Sequence, residues 1–257
     1  MIRLFFLRIV LLAAVAALPS VAAEGPVFLL GGNSMKGALF AETLRPALRE
    51  SFHGRSRVVL LLDAVHPDDR EAMEARLVNA FRDLGALAES LHHFDPAVRR
   101  VRLAAADGIF IVGGETFVLL ATLHREGLLE VIRARVRSGV PFAGSSAGAN
   151  VAGVVIGTTN DFPVAEIPSR AALGLVPVSV NPHHPPASSI AEFRVRAGKI
   201  RTYLRFNPGE TVLGIADTSM VRWQNGKLTL VAGAGWLYRR NAENELRPGE
   251  AVEVSGR

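Results

Sequence analysis

A chain of 257 residues with a hydrophobic fraction of 49% has room for a sizeable core, which excludes a disordered chain and fits one large α/β domain. The formal net charge of +5 comes from basic residues scattered along the chain, with no basic stripe interleaved with aromatics, so there is no nucleic-acid footprint. Cysteine is absent, which rules out a thiol nucleophile and cysteine metal ligands and makes an oxidising compartment harmless.

Arg3 and Arg8, with no acid beside them, precede an almost wholly apolar run from Ile9 to Ala23 that ends in Val21-Ala22-Ala23. This order of basic, apolar and small residues predicts a cleavable signal peptide over residues 1–23, cut after Ala23. Pro19 breaks the run, which is short for a membrane span of about 20 apolar residues, so no stable membrane insertion is expected. Cleavage would lower the formal net charge from +5 to +3 and leave residues 24–257 as a single domain, periplasmic or secreted.

Val27–Leu30, Val58–Leu62 and Ile109–Val112 read as buried strands. Between them, His66–Leu84 carries Met73, Leu77, Ala80, Phe81 and Leu84 at three-to-four spacing, and Phe117–Arg137 carries Leu120, Leu123, Leu128, Ile132 and Val136 likewise, predicting two amphipathic helices. Gly139 closes the second, and Pro141-Phe142-Ala143 enters a short strand that ends at Gly144. Strands and loops are expected from Gly153 to Pro186, then a helix over Ala191–Phe206. Late strands follow at Val212–Ile215 and Leu228–Val231, with Gln224-Asn225-Gly226-Lys227 turning the chain from Met220–Trp223 into the latter. Strands alternating with helices imply an α/β fold with a mostly parallel sheet, whose ligands sit at the carboxyl ends of the strands.

Gly144-Ser145-Ser146-Ala147-Gly148 fits the G-x-S-x-G nucleophile elbow, in which a strand turns sharply into a helix and projects the central serine. A tight structural turn is the alternative. A serine hydroxyl needs a histidine base and usually a carboxylate to orient it. His183 follows Asn181-Pro182 in a loop after a strand ending near Val180, and His184 is its rival. Asp161, in a turn-rich loop between the elbow and His183, is the candidate carboxylate, with turn or cap formation as its alternative role. The adjacent pairs His92-His93 and His183-His184 are not expected to bind a metal, because neighbouring residues rarely ligate one ion together, and no cofactor is expected.

Taken together, GSSAGAN at 144–150, TTNDFP at 158–163 and NPHH at 181–184 resemble the motifs of the dipeptidase E family of serine peptidases, which also contains cyanophycinase. The similarity runs from VFLLGGNSMKG near the start through IVGGETF to GIADTS late in the chain. The resemblance implies a doubly wound, class I glutamine amidotransferase-like (flavodoxin-like) fold, with Ser146 as nucleophile, His183 as base and Asp161 as its partner. It places the oxyanion hole at Gly113, Gly114 and Ala147. Arg196, with Arg194 as rival, matches the arginine expected to grip a substrate carboxylate, and Glu115 belongs to the same pocket.

Three positions depart from the dipeptidase pattern. Val112 and Glu115 stand where the loop usually has Gly and Asn, and Ser145 replaces an aromatic residue with a small hydroxyl residue of the cyanophycinase kind. The activity implied is hydrolysis of small peptides after an N-terminal aspartate. A cyanophycinase-like exopeptidase acting on β-linked aspartyl-arginine, an esterase, and a non-catalytic binding protein on the same fold are the alternatives.

Overall fold

The computed structural model describes residues 24–254, so the expected signal peptide lies outside the described residues. In chain order the elements are β1 (Val27–Leu30), β2 (Met35–Lys36), β3 (Leu39–Phe40), α1 (Arg45–Phe52), β4 (Val58–Leu61), α2 (Arg70–Leu84), β5 (Ala88–Ser90), α3 (Pro96–Ala104) and β6 (Gly108–Ile111). They continue with α4 (Thr116–Arg125), α5 (Leu128–Arg137), β7 (Phe142–Ser145), α6 (Ala147–Ala152), β8 (Ser179–Asn181), α7 (Ile190–Phe206) and β9 (Val212–Ile215). The last are β10 (Met220–Gln224), β11 (Lys227–Ala232), β12 (Gly235–Arg239), β13 (Ala242–Glu245) and β14 (Ala251–Glu253).

The main sheet has eight strands in the order β14-β11-β10-β1-β7-β6-β4-β5. Its half from β1 to β5 is parallel throughout, and β10, β11 and β14 add to it antiparallel. Every residue of β1, β4 and β6 is buried because helices cover both faces, which is why these strands read as continuous apolar runs. Alternate side chains go to opposite layers. Val27, Leu29, Val59, Leu61, Ile109 and Ile111 pack with residues of α3 to α6, whereas Phe28, Leu30, Val58, Leu60 and Phe110 pack with α1 and α2. Phe81 of α2 makes edge-to-face contacts with Phe40, Phe52 and Phe110 in this second layer. The doubly wound, mostly parallel expectation therefore holds.

A second sheet, β13-β12-β9-β8, stands apart from the first, with β8 and β9 parallel and α7 packed on it through Ala197, Ile200 and Leu204 against Val212, Trp236 and Tyr238. The sequence did not separate this sheet from the main one.

Two helix expectations are corrected. The predicted helix Phe117–Arg137 is two helices, divided where Gly127 takes a left-handed φ of 64° that ends one helix and starts the next. The predicted helix from His66 starts only at Arg70, after a 3₁₀ turn over Pro67–Asp69 whose first N–H is capped by the His66 ring. The hairpin at Asn225-Gly226 has positive φ at both residues, 51° and 77°, as the tight two-residue turn demands.

Candidate active site

The loops leaving the carboxyl ends of β1, β6, β7, β8 and β9 meet at one place. At the end of β7 the chain reverses at Ser146, whose φ of 53° and ψ of −112° lie outside the usual range of an L-residue, and α6 begins at the next residue. The Ser146 N–H donates to Leu30 O, which ties the elbow to β1. The flanking glycines are steric necessities: a Cβ on Gly144 would lie 2.3 Å from Gly148 O, and one on Gly148 would lie 2.1 Å from Ile111 O.

Ser146 Oγ lies 2.7 Å from His183 Nε2, and His183 Nδ1 lies 2.6 Å from Asp217 Oδ1. The His183 N–H donates to Gly31 O, and its own φ of 53° turns the ring toward the elbow. Gly32 provides the room, since a Cβ there would sit 2.0 Å from His183 Cε1. Asp217 is steadied through its other oxygen, which accepts from Asn33 Nδ2 at 2.7 Å. His183 and Asp217 are each about two-fifths exposed, so a substrate has access to the line of groups.

Asp161, expected to orient His183, does something else. Its Oδ2 accepts from the Thr116 N–H at 2.9 Å and from the Thr116 hydroxyl, so it caps the start of α4 and holds the loop Gly113–Glu115. The residues around it extend the clamp. Thr158 Oγ1 donates to Val180 O, Asn160 Nδ2 donates to Pro182 O, and Asn181 Nδ2 donates to Thr158 O and Asn160 Oδ1. The segment 158–161 thus fastens the loop after β6 to the loop that carries His183. The carboxylate that does meet the histidine is Asp217, in the segment GIADTS, which no motif around the elbow or the histidine singles out.

His184 is excluded as the base by its surroundings. It is 1% exposed, packs against Trp236 and Phe193, accepts from Tyr238 Oη at Nε2 (2.9 Å) and donates from Nδ1 to Pro185 O (2.9 Å). Burial pushes its pKa down to about 4, offset in part by the Pro185 carbonyl and reinforced by the Arg196 charge.

Gly113 sits against the nucleophile, where an added Cβ would be 2.8 Å from Ser146 Cβ. Among the described residues, the N–H groups of Gly113, Gly114 and Ala147 have no backbone acceptor, whereas the next N–H along the loop, of Glu115, is taken by Ala64 O. Glu115 is exposed and, with Gly113 and Gly114, lines a cleft walled by Val65, His66 and Met73. Arg196 lines a second cleft, beside His183 and Lys199. Its Nη1 reaches Asn181 Oδ1 at 3.0 Å and the carbonyls of Pro182 and His183, and burial lowers its pKa. Arg194, its rival, is exposed on α7 and does not line this cleft.

The chain is similar to known peptidases in sequence and in fold. The sequence matches peptidase family S51 over residues 27–231. It is 42% identical to a Peptidase E of Shewanella amazonensis over 152 residues, covering 58% of this chain and 63% of that protein. It is 36% identical to a probable alpha-aspartyl dipeptidase of Drosophila melanogaster over 208 residues, covering 80% of this chain and 85% of that one. The fold matches a crystal structure of a peptidase from an acI-B1 Actinobacterium with a TM-score of 0.68 at 19% identity, covering 91% of this chain and 98% of that one. The chain belongs to peptidase family S51 and is a serine-type peptidase.

Proposed function

We propose that the chain is an exopeptidase that releases an N-terminal aspartate from Asp-Xaa dipeptides through an acyl-enzyme on Ser146. The observation that carries the mechanism is the unbroken line from Ser146 Oγ through the His183 ring to Asp217. In this reading Ser146 attacks the carbonyl after the aspartate while His183 Nε2 takes the hydroxyl proton and then hands it to the leaving amine. Asp217 accepts from Nδ1–H, which fixes the tautomer with Nε2 as acceptor and stabilises the imidazolium that forms. Water repeats the sequence on the acyl-enzyme and releases aspartate.

The unengaged N–H groups of Gly113, Gly114 and Ala147 supply candidate donors to the developing oxyanion, each worth about 3 kcal/mol of barrier in comparable sites. Arg196 supplies the cation for a substrate carboxylate, since an unpaired buried carboxylate would be strongly disfavoured. Its bonds to the Pro182 and His183 carbonyls couple occupancy of that cleft to the position of the base. We further propose that the protein acts after export, on the basis of residues 1–23.

The test is hydrolysis of Asp-Leu, its β-linked isomer, Ala-Leu and β-Asp-Arg by the purified protein, with Ser146→Ala as control for each. Selective Asp-Leu cleavage that the substitution abolishes is the expected result. Cleavage of the β-linked substrates alone would transfer the assignment to a cyanophycinase-like activity, and Ala-Leu cleavage at an equal rate would remove the role given to Arg196.

A further inference from the structure

Outside the site just described, α2 and the turn after β5 bring two histidines and two glutamates together. Glu71 and Glu74 stand three residues apart in the first turns of α2, on one face of the helix. His92 and His93 come from a 3₁₀ turn over Leu91–His93. His92 Nε2 lies 3.1 Å from Glu71 Oε1, and His93 Nε2 lies 2.6 Å from Glu74 Oε2. One ligating atom from each of the four residues lies within 4.8 Å of all the others. A tetrahedral zinc ion with bonds of about 2.0–2.2 Å needs donor separations of roughly 3.3–3.6 Å, which small side-chain movements would reach.

The cluster is held as a metal site is held. Ser90 Oγ lies 2.6 Å from His92 Nδ1, and the Ser90 N–H donates to Glu74 Oε1. One residue therefore orients both ligands that are mostly buried: the His92 side chain is 10% exposed and that of Glu74 18%. Accepting from Nδ1–H, Ser90 leaves the Nε2 lone pair of His92 facing the glutamates, the outer-shell arrangement typical of metal-binding histidines.

Ordinary histidine–glutamate ion pairs are the competing account, and they do not engage all four side chains at once. The two rings are 3.9 Å apart between centroids, so two imidazolium charges would repel each other directly. With neutral rings the two glutamates would face one another with no cation, since among the described residues neither forms an ion pair with lysine or arginine. A single imidazolium shared between the glutamates would leave one ring without a charged partner, whereas a divalent ion engages all four side chains, because neutral imidazoles donate lone pairs and two carboxylates balance its charge. The sequence expectation that adjacent histidines do not share an ion assumes side chains that diverge, as in a strand. Here the rings of His92 and His93 instead lie together, tilted 38° to each other, on the same side of the turn.

We infer that Glu71, Glu74, His92 and His93 form a binding site for a divalent ion of the zinc class, which fastens α2 to the turn at the end of edge strand β5. Two imidazole donors favour zinc, cobalt or nickel over magnesium or calcium. The ion takes no part in the reaction at Ser146. β5 lies three strands from β7, roughly 14 Å at about 4.8 Å per strand.

The test uses the full chain freed of metal with a chelator and titrated calorimetrically with zinc alone, then with cobalt to read the absorption bands of tetrahedral coordination. One equivalent should bind, zinc should raise the Tm, and Glu71→Gln should weaken binding by roughly tenfold or more without touching the fold, since that side chain is exposed. The double change His92→Gln, His93→Gln should abolish both binding and the Tm rise, while peptidase activity stays at the level of the unchanged protein. Absence of saturable zinc binding overturns the inference. So does binding that survives the double change, whether or not His183→Ala then removes it.

Discussion

A histidine acting as base must have its other ring nitrogen held, and the identity of the holder decides what each loop aspartate does. His183 Nδ1 meets Asp217, whereas Asp161 is spent on Thr116 at the start of α4. Asp217→Ala should therefore lower kcat by about 10⁴-fold with little change in KM, as expected when a histidine loses its orienting carboxylate. Asp161→Ala should act indirectly, through movement of the Gly113–Glu115 loop, and lower kcat by roughly tenfold to a hundredfold. Steady-state kinetics of the two variants on one peptide checks the ranking, and the reverse order would return Asp161 to the histidine. Ser146 and His183 were legible because their motifs are local. Asp217 was not, because its meeting with His183 depends on β8 lying parallel to β9 with Asn181 opposite Gly214. That register brings the residue two past Asn181 and the residue three past Gly214 to the same end of the sheet, and no spacing along the chain encodes it.

At the scale of elements, strands buried on both faces announced themselves as apolar runs, and β1 and β9 fall where the sequence placed them. What the periodicity missed is the break between α4 and α5. Leu120 and Leu123 before it, and Leu128, Ile132 and Val136 after it, are all buried and each set keeps the three-to-four spacing, so the single five-residue step from Leu123 to Leu128 is easily read through. The break lies in the backbone of Gly127, at φ 64°. Gly127→Ala would force an L-residue into that left-handed conformation and should destabilise the fold by about 1–2 kcal/mol. A fall in Tm of roughly 2–4 °C per kcal/mol is expected for a domain of this size, with activity retained. A Tm equal to or above that of the unchanged protein would show that α4 and α5 can fuse. The small strands β2, β3, β13 and β14 were likewise invisible, since two to four largely half-exposed or exposed residues carry too short an alternation to be read.

For the whole molecule, the second sheet makes stability depend on pH through a group that takes no part in the proposed chemistry. His184 is buried between α7 and β12, and its pKa is lowered from the ordinary 6.5 to about 4, by burial first and by the Arg196 charge as well. In the unfolded chain the same ring titrates near 6.5, so between these values the unfolded state binds more protons and acid draws the equilibrium toward it. The contribution is present in full above pH 6.5 and is lost progressively as pH falls toward 4. Linkage with these two values gives a loss of about 2 kcal/mol between neutral pH and pH 5. His184→Gln retains an acceptor for the Tyr238 hydroxyl but has nothing to titrate. It should be less stable than the unchanged protein at pH 7, since it gives up the ring contacts with Trp236 and Phe193, and that deficit should shrink by about 2 kcal/mol at pH 5. Urea unfolding of both proteins at the two pH values measures the difference, and carboxylates common to both cancel from it. A deficit that is the same at both pH values would mean that His184 takes up its proton in the folded protein as readily as in the unfolded chain, and that Arg196 and the Tyr238 hydroxyl tolerate a second cation beside them.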